Sequence, residues 1–337
     1  MVTVSVCIPT YNRQNLLPWA IESVLQQTFQ DWELVICDDG STDQTPQIVA
    51  QYQQQPGGDR IRYVRHDRNI GKSNNMRSGF IAATGQYFIK FDDDDRLCPE
   101  FLAQTVGILQ QNRELAFVGT DHWLIDIHNQ RQPEASDRNS QAWGRMDLPP
   151  GEVEDLLKVV FVRQSFQVGA TLFRRSALEA VDFMRANLGN CEDNDLLVRL
   201  ALGGHRGYYL PQRLMEYRMH GEQAGLNRAI PYLEDKLRYL EFFQFDRGDL
   251  EQVRRSRLVE TQGLLGLRLV ERGQGSDRPR GRALLRQVQQ TGGKTLGRKA
   301  WVGLMLSRLP QPLRRWAFWA LRQGRGASDG DRIRRSG

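Results

Sequence analysis

No stretch of this sequence approaches the ~20 consecutive apolar residues needed to cross a bilayer. The best runs, GLLGLRLV and WVGLMLSRL, fall far short. The opening MVTVSVCIPTYN lacks a basic region ahead of its apolar run, which predicts no secretory signal peptide. Cysteine is scarce and scattered: Cys7, Cys37, Cys98 and Cys191 form no Cys-x-x-Cys pair. Cys7 and Cys37 lie in apolar runs where a thiol behaves as a small hydrophobe, so reduced cysteines in a cytoplasmic protein are expected. There is no low-complexity tract, no G-x-x-x-x-G-K-[ST] and no G-x-G-x-x-G after the first strand pattern. Neither a P-loop ATPase nor a dinucleotide-binding fold is therefore favoured.

What remains is an ordinary globular composition, 40% hydrophobic and 26% charged over 337 residues, enough for one full domain and an appendage. The net charge of +6 hides a division. Residues 251–337 carry 20 Lys+Arg and 6 Asp+Glu, a net of +14, and the preceding residues sum to −8. A basic tail on an acidic body points to an anionic partner, membrane or nucleic acid.

Strand and helix patterns alternate through the first part: VTVSVCIPT, then RQNLLPWAIESVLQQT; WELVICDD, then DQTPQIVAQYQQQ; RIRYVRH, then KSNNMRSGFIAAT; QYFIKF, then PEFLAQTVGILQQ; and LAFVGTDHWLI. Such alternation predicts βαβ units and an α/β fold with a mainly parallel sheet. Residues 128–151 read as a long polar loop, VGATLFRR as a strand, NDLLVRLALGG as a helix and GYYLPQRLMEYRMH as two short strands. Beyond Ala224 the pattern is helical. The predicted organisation is a catalytic domain over 1–224, a basic helical region over 225–325 and a disordered tail over 326–337.

Four segments carry candidate chemistry. FDDDDR, Phe91 to Arg96, puts four carboxylates at a strand end, where open α/β sheets bind ligands. Strand alternation would project Asp92 with Asp94 and Asp93 with Asp95. Like charges ~4 Å apart repel by ~4 kcal/mol at an effective dielectric of ~20. A hard divalent cation, Mg²⁺ or Mn²⁺, relieves this, whereas a solvated acidic turn is the plainer alternative. In CDDGSTD, Asp38 and Asp39 are acceptors for a base or ribose, while Ser41 and Asp43 suit helix capping better. In CEDNDLLVRL, Glu192, Asp193 and Asp195 crowd one helix start. Capping explains one of them, and a general base is a candidate role for another. His220, in EYRMH, is a lone histidine and on its own more often structural than a ligand.

Taken in order, these segments resemble glycosyltransferase family 2, whose catalytic domain has the GT-A fold. The similarity runs from SVCIPTYNRQNLLPWAIESVLQQTFQDWELVICDDGSTDQT through NIGKSNNMRSGFIAATGQYFIKFDDDD, VGATLFRRSAL and EDNDLLVRLA to YRMH, roughly residues 3 to 221. The resemblance implies that Pro9, Thr10, Tyr11 and Asn12 pack against a nucleotide base. It implies that Asp39 binds that base, with Asp38 beside it. Asp92, Asp93 and Asp94 cover the family's D-x-D, with Asp94 the implied metal ligand. Asp193 matches its catalytic base, with Glu192 adjacent, and His220 a histidine that contacts metal or diphosphate. Where many members have Ala-Arg-Asn, this chain has Asn75, Met76 and Arg77, so Lys72 or Arg77 is the implied diphosphate contact.

The expected function is inverting, metal-dependent transfer of a sugar from a nucleotide-diphosphate donor, UDP-sugar by default, to a hydroxyl of a glycan or lipid-linked acceptor. Two alternatives are a sugar nucleotidyltransferase, whose Gly-rich phosphate loop IPTYNRQN does not supply, and a nucleic-acid-binding protein, whose motifs the tail lacks. No nucleic-acid partner is expected. In PLRRWAFWALRQ, Leu313, Trp316, Ala317, Ala320 and Leu321 share a helical face with Phe318 and Trp319 at its margins. With Arg314, Arg315, Arg322 and Arg325 it predicts peripheral binding at the inner face of an anionic membrane. The competing expectation packs Trp316 and Leu313 against the protein.

Overall fold

The computed structural model describes residues 2–219 and 229–323. By its contacts the chain divides into two compact units, Met1–His220 and Gly221–Gly337. His220, the boundary expected near Ala224, Arg325 and the expected tail over 326–337 lie outside the described residues.

The first unit runs β1 (Val4–Thr10), α1 (Leu17–Leu25), β2 (Trp32–Asp38), α2 (Thr45–Gln53), β3 (Ile61–Arg65), α3 (Lys72–Ala82), β4 (Tyr87–Lys90), β5 (Arg96–Leu97) and α4 (Phe101–Gln111). It continues with β6 (Leu115–Ile125), α5 (Pro133–Ala142), β7 (Gly151–Glu152), α6 (Leu156–Lys158), β8 (Thr171–Arg174), α7 (Arg175–Ala180), α8 (Glu192–Leu202) and β9 (Arg206–Arg218). The sheet order is β3-β2-β1-β4-β8-β6-β9-β5, with β7 on β9. β1, β2, β3 and β4 are parallel; β8 runs against β4 and β6, while β6 and β9 are parallel. This is a mixed α/β sheet, and the C-terminal ends of β1, β2 and β4 lie side by side.

β1 and β2 are buried along their whole length, as a central strand covered on both faces requires. Val6, Ile8, Leu34, Ile36 and Ile89 pack with Ile21 and Val24 of α1 and Leu102 and Val106 of α4 into one core. On the other face α3 crosses the sheet at Gly79, where a Cβ would collide with the sulfurs of both Cys7 and Cys37. Those sulfurs are 3.8 Å apart as free thiols.

Two sequence expectations fail here. The polar stretch 128–151 contains α5, a helix with Pro at its start and no apolar stripe. Hydroxyls hold it: Ser136 Oγ accepts from the Leu124 amide at 2.9 Å, and Ser140 Oγ donates to Asp121 at 2.6 Å. GYYLPQRLMEYR forms one strand, β9, not two. Pro211 sits where the β6–β9 register jumps from Thr120↔Leu210 to Asp121↔Arg213, so a bulge absorbs the proline without ending the strand.

The second unit holds α9 (Ala229–Phe242), α10 (Gly248–Arg272), α11 (Asp277–Thr291), α12 (Gly293–Leu306) and α13 (Gln311–Gln323). Val270, Leu285, Val288, Ala300 and Phe318 form one cluster, and Leu233, Leu237, Leu265 and Leu269 another. The helix α13 turns Phe318 and Arg314 inward. Leu313, Trp316 and Trp319 are 57%, 64% and 52% exposed, so Leu313 and Trp316 are not the packing residues of this helix. Among the described residues no helix is long and apolar enough to cross a membrane.

Candidate active site

β4 ends at Lys90, and the four aspartates that follow bend through a turn instead of continuing the strand. Strand alternation therefore does not pair Asp92 with Asp94 or Asp93 with Asp95; each carboxylate finds its own environment. Asp92 meets two lysines: Lys90 Nζ is 2.9 Å and Lys72 Nζ 3.9 Å from its Oδ1. Burial would raise its pKa, but Lys90 and then Lys72 hold it below the ordinary carboxylate value. Asp93 lies 3.6 Å from Arg13 Nε. Burial and the Asp94 charge push its pKa up to about 7, against the pull of Thr10 and Arg13. Asp95 is fully buried, accepts the Arg218 amide at 2.8 Å, and is pushed well up by burial and by Asp94.

Arg218, at the end of β9, fastens this turn. Its guanidinium donates to the Asp94 carbonyl at 2.6 Å, to the Asp126 carbonyl at 2.9 Å and to Asn129 Oδ1 at 2.6 Å.

Facing the turn is the start of α8. Cys191 precedes it in the left-handed region, φ 63°, as do Asp182, Phe183 and Asn187 earlier in the same connection. Such backbone in non-glycine residues costs ~1–3 kcal/mol each and persists only where the surroundings enforce it. Arg77 supplies part of that enforcement. It donates to the carbonyls of Asp182 at 3.0 Å and Met184 at 2.6 Å. Glu192 is buried and 2.8 Å from Lys72 Nζ, its pKa raised by burial against the Lys72 charge. Asp193 Oδ2 lies 3.4 Å from Lys90 Nζ, and its buried Oδ1 has no hydrogen-bond partner among the described residues. Asp195 is set apart: fully buried, it pairs with Arg185 at 2.6 Å and Arg199 at 2.8 Å inside the fold.

The structure thus brings Asp92, Glu192 and Asp193 together through Lys72 and Lys90, two segments a hundred residues apart in the chain. Of the two basic residues left open by the sequence, Lys72 reaches this cluster, whereas Arg77 is engaged with the 182–184 segment.

The neighbouring loops form at the ends of β1 and β2. Thr10 accepts the Asp39 amide at 3.0 Å. Tyr11 is exposed, and Asn12 has a left-handed φ of 53°. Asn12 Oδ1 accepts the Thr42 amide at 2.8 Å, and its own amide donates to Ser41 Oγ at 2.9 Å. Pro9 is buried within β1. Asp38 is fully buried; it accepts the Ser41 amide at 2.8 Å and the Tyr63 hydroxyl, with Arg65 at 3.7 Å. Asp39 accepts the amides of Ile70 at 2.7 Å and Gly71 at 3.1 Å, tying β2 to the approach of α3. Asp43 accepts the Thr45 amide at 3.0 Å at the start of α2.

A divalent cation suits the turn by its chemistry. Asp93 and Asp94 are adjacent hard oxygen donors, and the Asp93 pKa is raised by burial first and by the neighbouring Asp94 charge second, so a cation between them would favour the ionised form. Among the described residues no group of three His, Cys, Asp or Glu side chains is placed to hold a metal alone. A cation held there would need further oxygen ligands from a bound molecule or water.

The sequence matches glycosyl transferase family 2 over residues 5–181, more than half its length. The chain belongs to that family. This glycosyltransferase is 31% identical over 238 residues to the putative glycosyltransferase EpsE of Bacillus subtilis, spanning 69% of this chain and 78% of that one. It is 28% identical over 226 residues to the GalNAc(5)-diNAcBac-PP-undecaprenol beta-1,3-glucosyltransferase of Campylobacter jejuni, covering 66% and 67% of the two chains. Its fold matches that of S. aureus TarS 1–349 in complex with UDP-GlcNAc, with TM-score 0.63, 17% identity and coverage of 97% and 95%. It also matches the mannosyltransferase PcManGT from Pyrobaculum calidifontis in complex with GDP-Man and Mn²⁺, with TM-score 0.57, 17% identity and coverage of 94% and 83%. The family 2 glycosyltransferase fold is therefore GT-A, followed by helices α9–α13.

Lys90, Arg13 and Arg218 escaped the reading of the sequence. Lys90 had one visible mark, a single charge in an otherwise apolar strand. Arg13 and Arg218 had none.

Proposed function

We propose that this family 2 enzyme transfers a sugar from a nucleoside diphosphate donor, UDP-sugar in the first instance, to a hydroxyl of a glycan or lipid-linked acceptor, with inversion at the anomeric carbon. The observation that carries this reading is the Asp193 carboxylate, with one oxygen against Lys90 and the other buried without a hydrogen-bond partner among the described residues. A general base needs such an oxygen to receive the acceptor proton. Attack from the face opposite the leaving diphosphate inverts the centre.

On the donor side, Pro9, Thr10, Tyr11, Asn12 and Asp39 are assigned to the base, with Asp38 beside Asp39. Lys72 is assigned to the diphosphate, where a charge-assisted contact to phosphate is worth ~1.5–3 kcal/mol. Mn²⁺ or Mg²⁺ would be held by Asp94, with Asp93 beside it and His220 as a further proposed ligand. When bound, the cation supplies Lewis-acid neutralisation of the diphosphate charge. Fixing donor and acceptor against these groups lowers the entropic part of the barrier.

The acceptor is proposed to be presented at the inner face of an anionic membrane. Between residues 273 and 323 the chain has eleven Lys+Arg and a single acidic residue, Asp277, and on α13 this charge accompanies the exposed Leu313, Trp316 and Trp319. Aromatic and cationic residues on one amphipathic helix favour the bilayer interface.

The test is nucleotide release by the purified protein with Mn²⁺ present, offering UDP-sugars, GDP-mannose and ATP in parallel. Release from a sugar donor supports transfer. Release from none of the sugar donors, with ATP turned over, would overturn the reading in favour of nucleotidyl chemistry.

A further inference from the structure

A lysine at the end of a buried strand is costly unless its charge is compensated. Lys90 is only 1% exposed. Its Nζ contacts both oxygens of Asp92, at 2.9 and 3.0 Å, and Asp193 Oδ2 at 3.4 Å. Burial would lower its pKa, but Asp193 and then Asp92 hold it above the ordinary lysine value, so it carries its charge throughout the physiological range.

Lys72 bridges the same carboxylates from the outside, touching Glu192 and Asp92, but its side chain is 45% exposed. It is free to turn to a ligand. Lys90 is enclosed and cannot follow. Without it, Asp92 and Asp193 would be like charges with no enclosed cation between them, and no other hydrogen bond or ion pair among the described residues fixes the Asp193 carboxylate.

We infer that Lys90 is a positioning residue for sugar transfer, clamping Asp193 to the Asp92 turn so that one carboxylate oxygen is held and the other is left for the acceptor proton. This rests on the assignment of Asp193 as the base. A plain structural lysine would also stabilise the fold, so the distinction lies in coupling. If Lys90 acts through Asp193, its removal matters little once Asp193 is an uncharged amide.

The experiment compares Lys90→Met and Lys90→Arg in the full chain, alone and with Asp193→Asn, using UDP-GlcNAc and GDP-mannose with Mn²⁺ as probes. Lys90→Met is expected to lower kcat by about 10²-fold, the scale of a misplaced catalytic group, with donor KM changed by less than about threefold. Lys90→Arg restores most of the rate, and Lys90→Met adds no further loss in the Asp193→Asn background. An unchanged kcat, or the full loss repeated on Asp193→Asn, overturns the inference. The melting temperature gives an independent reading if neither donor is used, which would count against the proposed reaction alone. Lys90→Met should lower Tm in the native background and less so with Asp193→Asn, whereas equal lowering in both overturns the clamp. Lys90→Gln repeats the comparison if the methionine variant does not fold.

Discussion

Lys72 Nζ lies 2.8 Å from Glu192 Oε1, so the first residue of one helix is paired with the first residue of another across the mouth of the site. The lysine side chain is half open to water while Glu192 is buried, and on the proposed assignment an arriving diphosphate competes with Glu192 for the ammonium. Lys72→Met should weaken UDP binding about 10- to 100-fold, the range of a lost charge-assisted contact. Calorimetric titration checks it. Arg77→Met, by contrast, should lower Tm through the 182–184 connection while leaving UDP affinity near native.

Asp94→Ala removes a carboxylate from a turn and no core packing. Transfer and Mn²⁺-dependent nucleotide binding should be lost, with the fold retained and Tm unchanged or slightly raised by relief of repulsion on Asp93 and Asp95. A thermal-shift series with UDP and Mn²⁺ reads this directly, since a ligand at ~100 times its Kd stabilises the native state by ~2.7 kcal/mol. Native-like Mn²⁺-dependent shifts in the variant would remove Asp94 from the metal site.

Asp193→Asn keeps the shape of the side chain and removes its basicity. Turnover should fall by ~10²–10⁴-fold with donor affinity retained. Single-turnover rates measured beside donor titrations separate the two. Collapse of affinity with surviving chemistry would make Asp193 a binding residue.

His122 supplies a pH dependence remote from the aspartate turn. Its pKa is pushed down from 6.5 to about 3, by burial first and the Arg145 charge second, with Asp121 opposing. Between those values the unfolded chain binds a proton that the native chain refuses. Stability therefore falls as pH drops from about 6.5 toward 3, by up to ~1.4 kcal/mol per pH unit from this group. Urea midpoints at pH 7 and pH 5 should diverge less in His122→Gln than in the native chain. Equal divergence would show that His122 does not carry the slope.

At α13, Trp316→Ala with Trp319→Ala should reduce co-sedimentation with vesicles containing anionic lipid and leave Tm near native, because both side chains are exposed. Phe318→Ala should do the opposite, lowering Tm by opening the cluster around Leu285 and Val288. Undiminished sedimentation of the double variant would sink the membrane reading.

The α/β alternation was legible because β1, β2, β4 and the first half of β6 are mostly apolar, and the aspartate run stands out against them. Other parts were hidden for physical reasons. α5 is held by Ser136 and Ser140, and hydroxyl contacts leave no hydrophobic period to detect. β9 reads as two strands because Pro211 signals a break that the bulge opposite Thr120 and Asp121 tolerates. Lys90 is a single charge whose partners lie two and a hundred residues away, and no local spacing rule pairs positions so far apart. Asp195 looked equivalent to Glu192 and Asp193 by position at the helix start. Only the inward guanidinium groups of Arg185 and Arg199 set it apart.

The glycine that seats α3 on the two sulfurs makes that helix a lever. Gly79 is the fulcrum, and Lys72 sits at the far end, seven residues or roughly 10 Å away along the axis. A single methyl added at the fulcrum would collide with the sulfurs of Cys7 and Cys37, so either the helix or the two cysteines must shift. On the proposed role of Lys72, its hold on a diphosphate would depend on packing on the underside of the sheet.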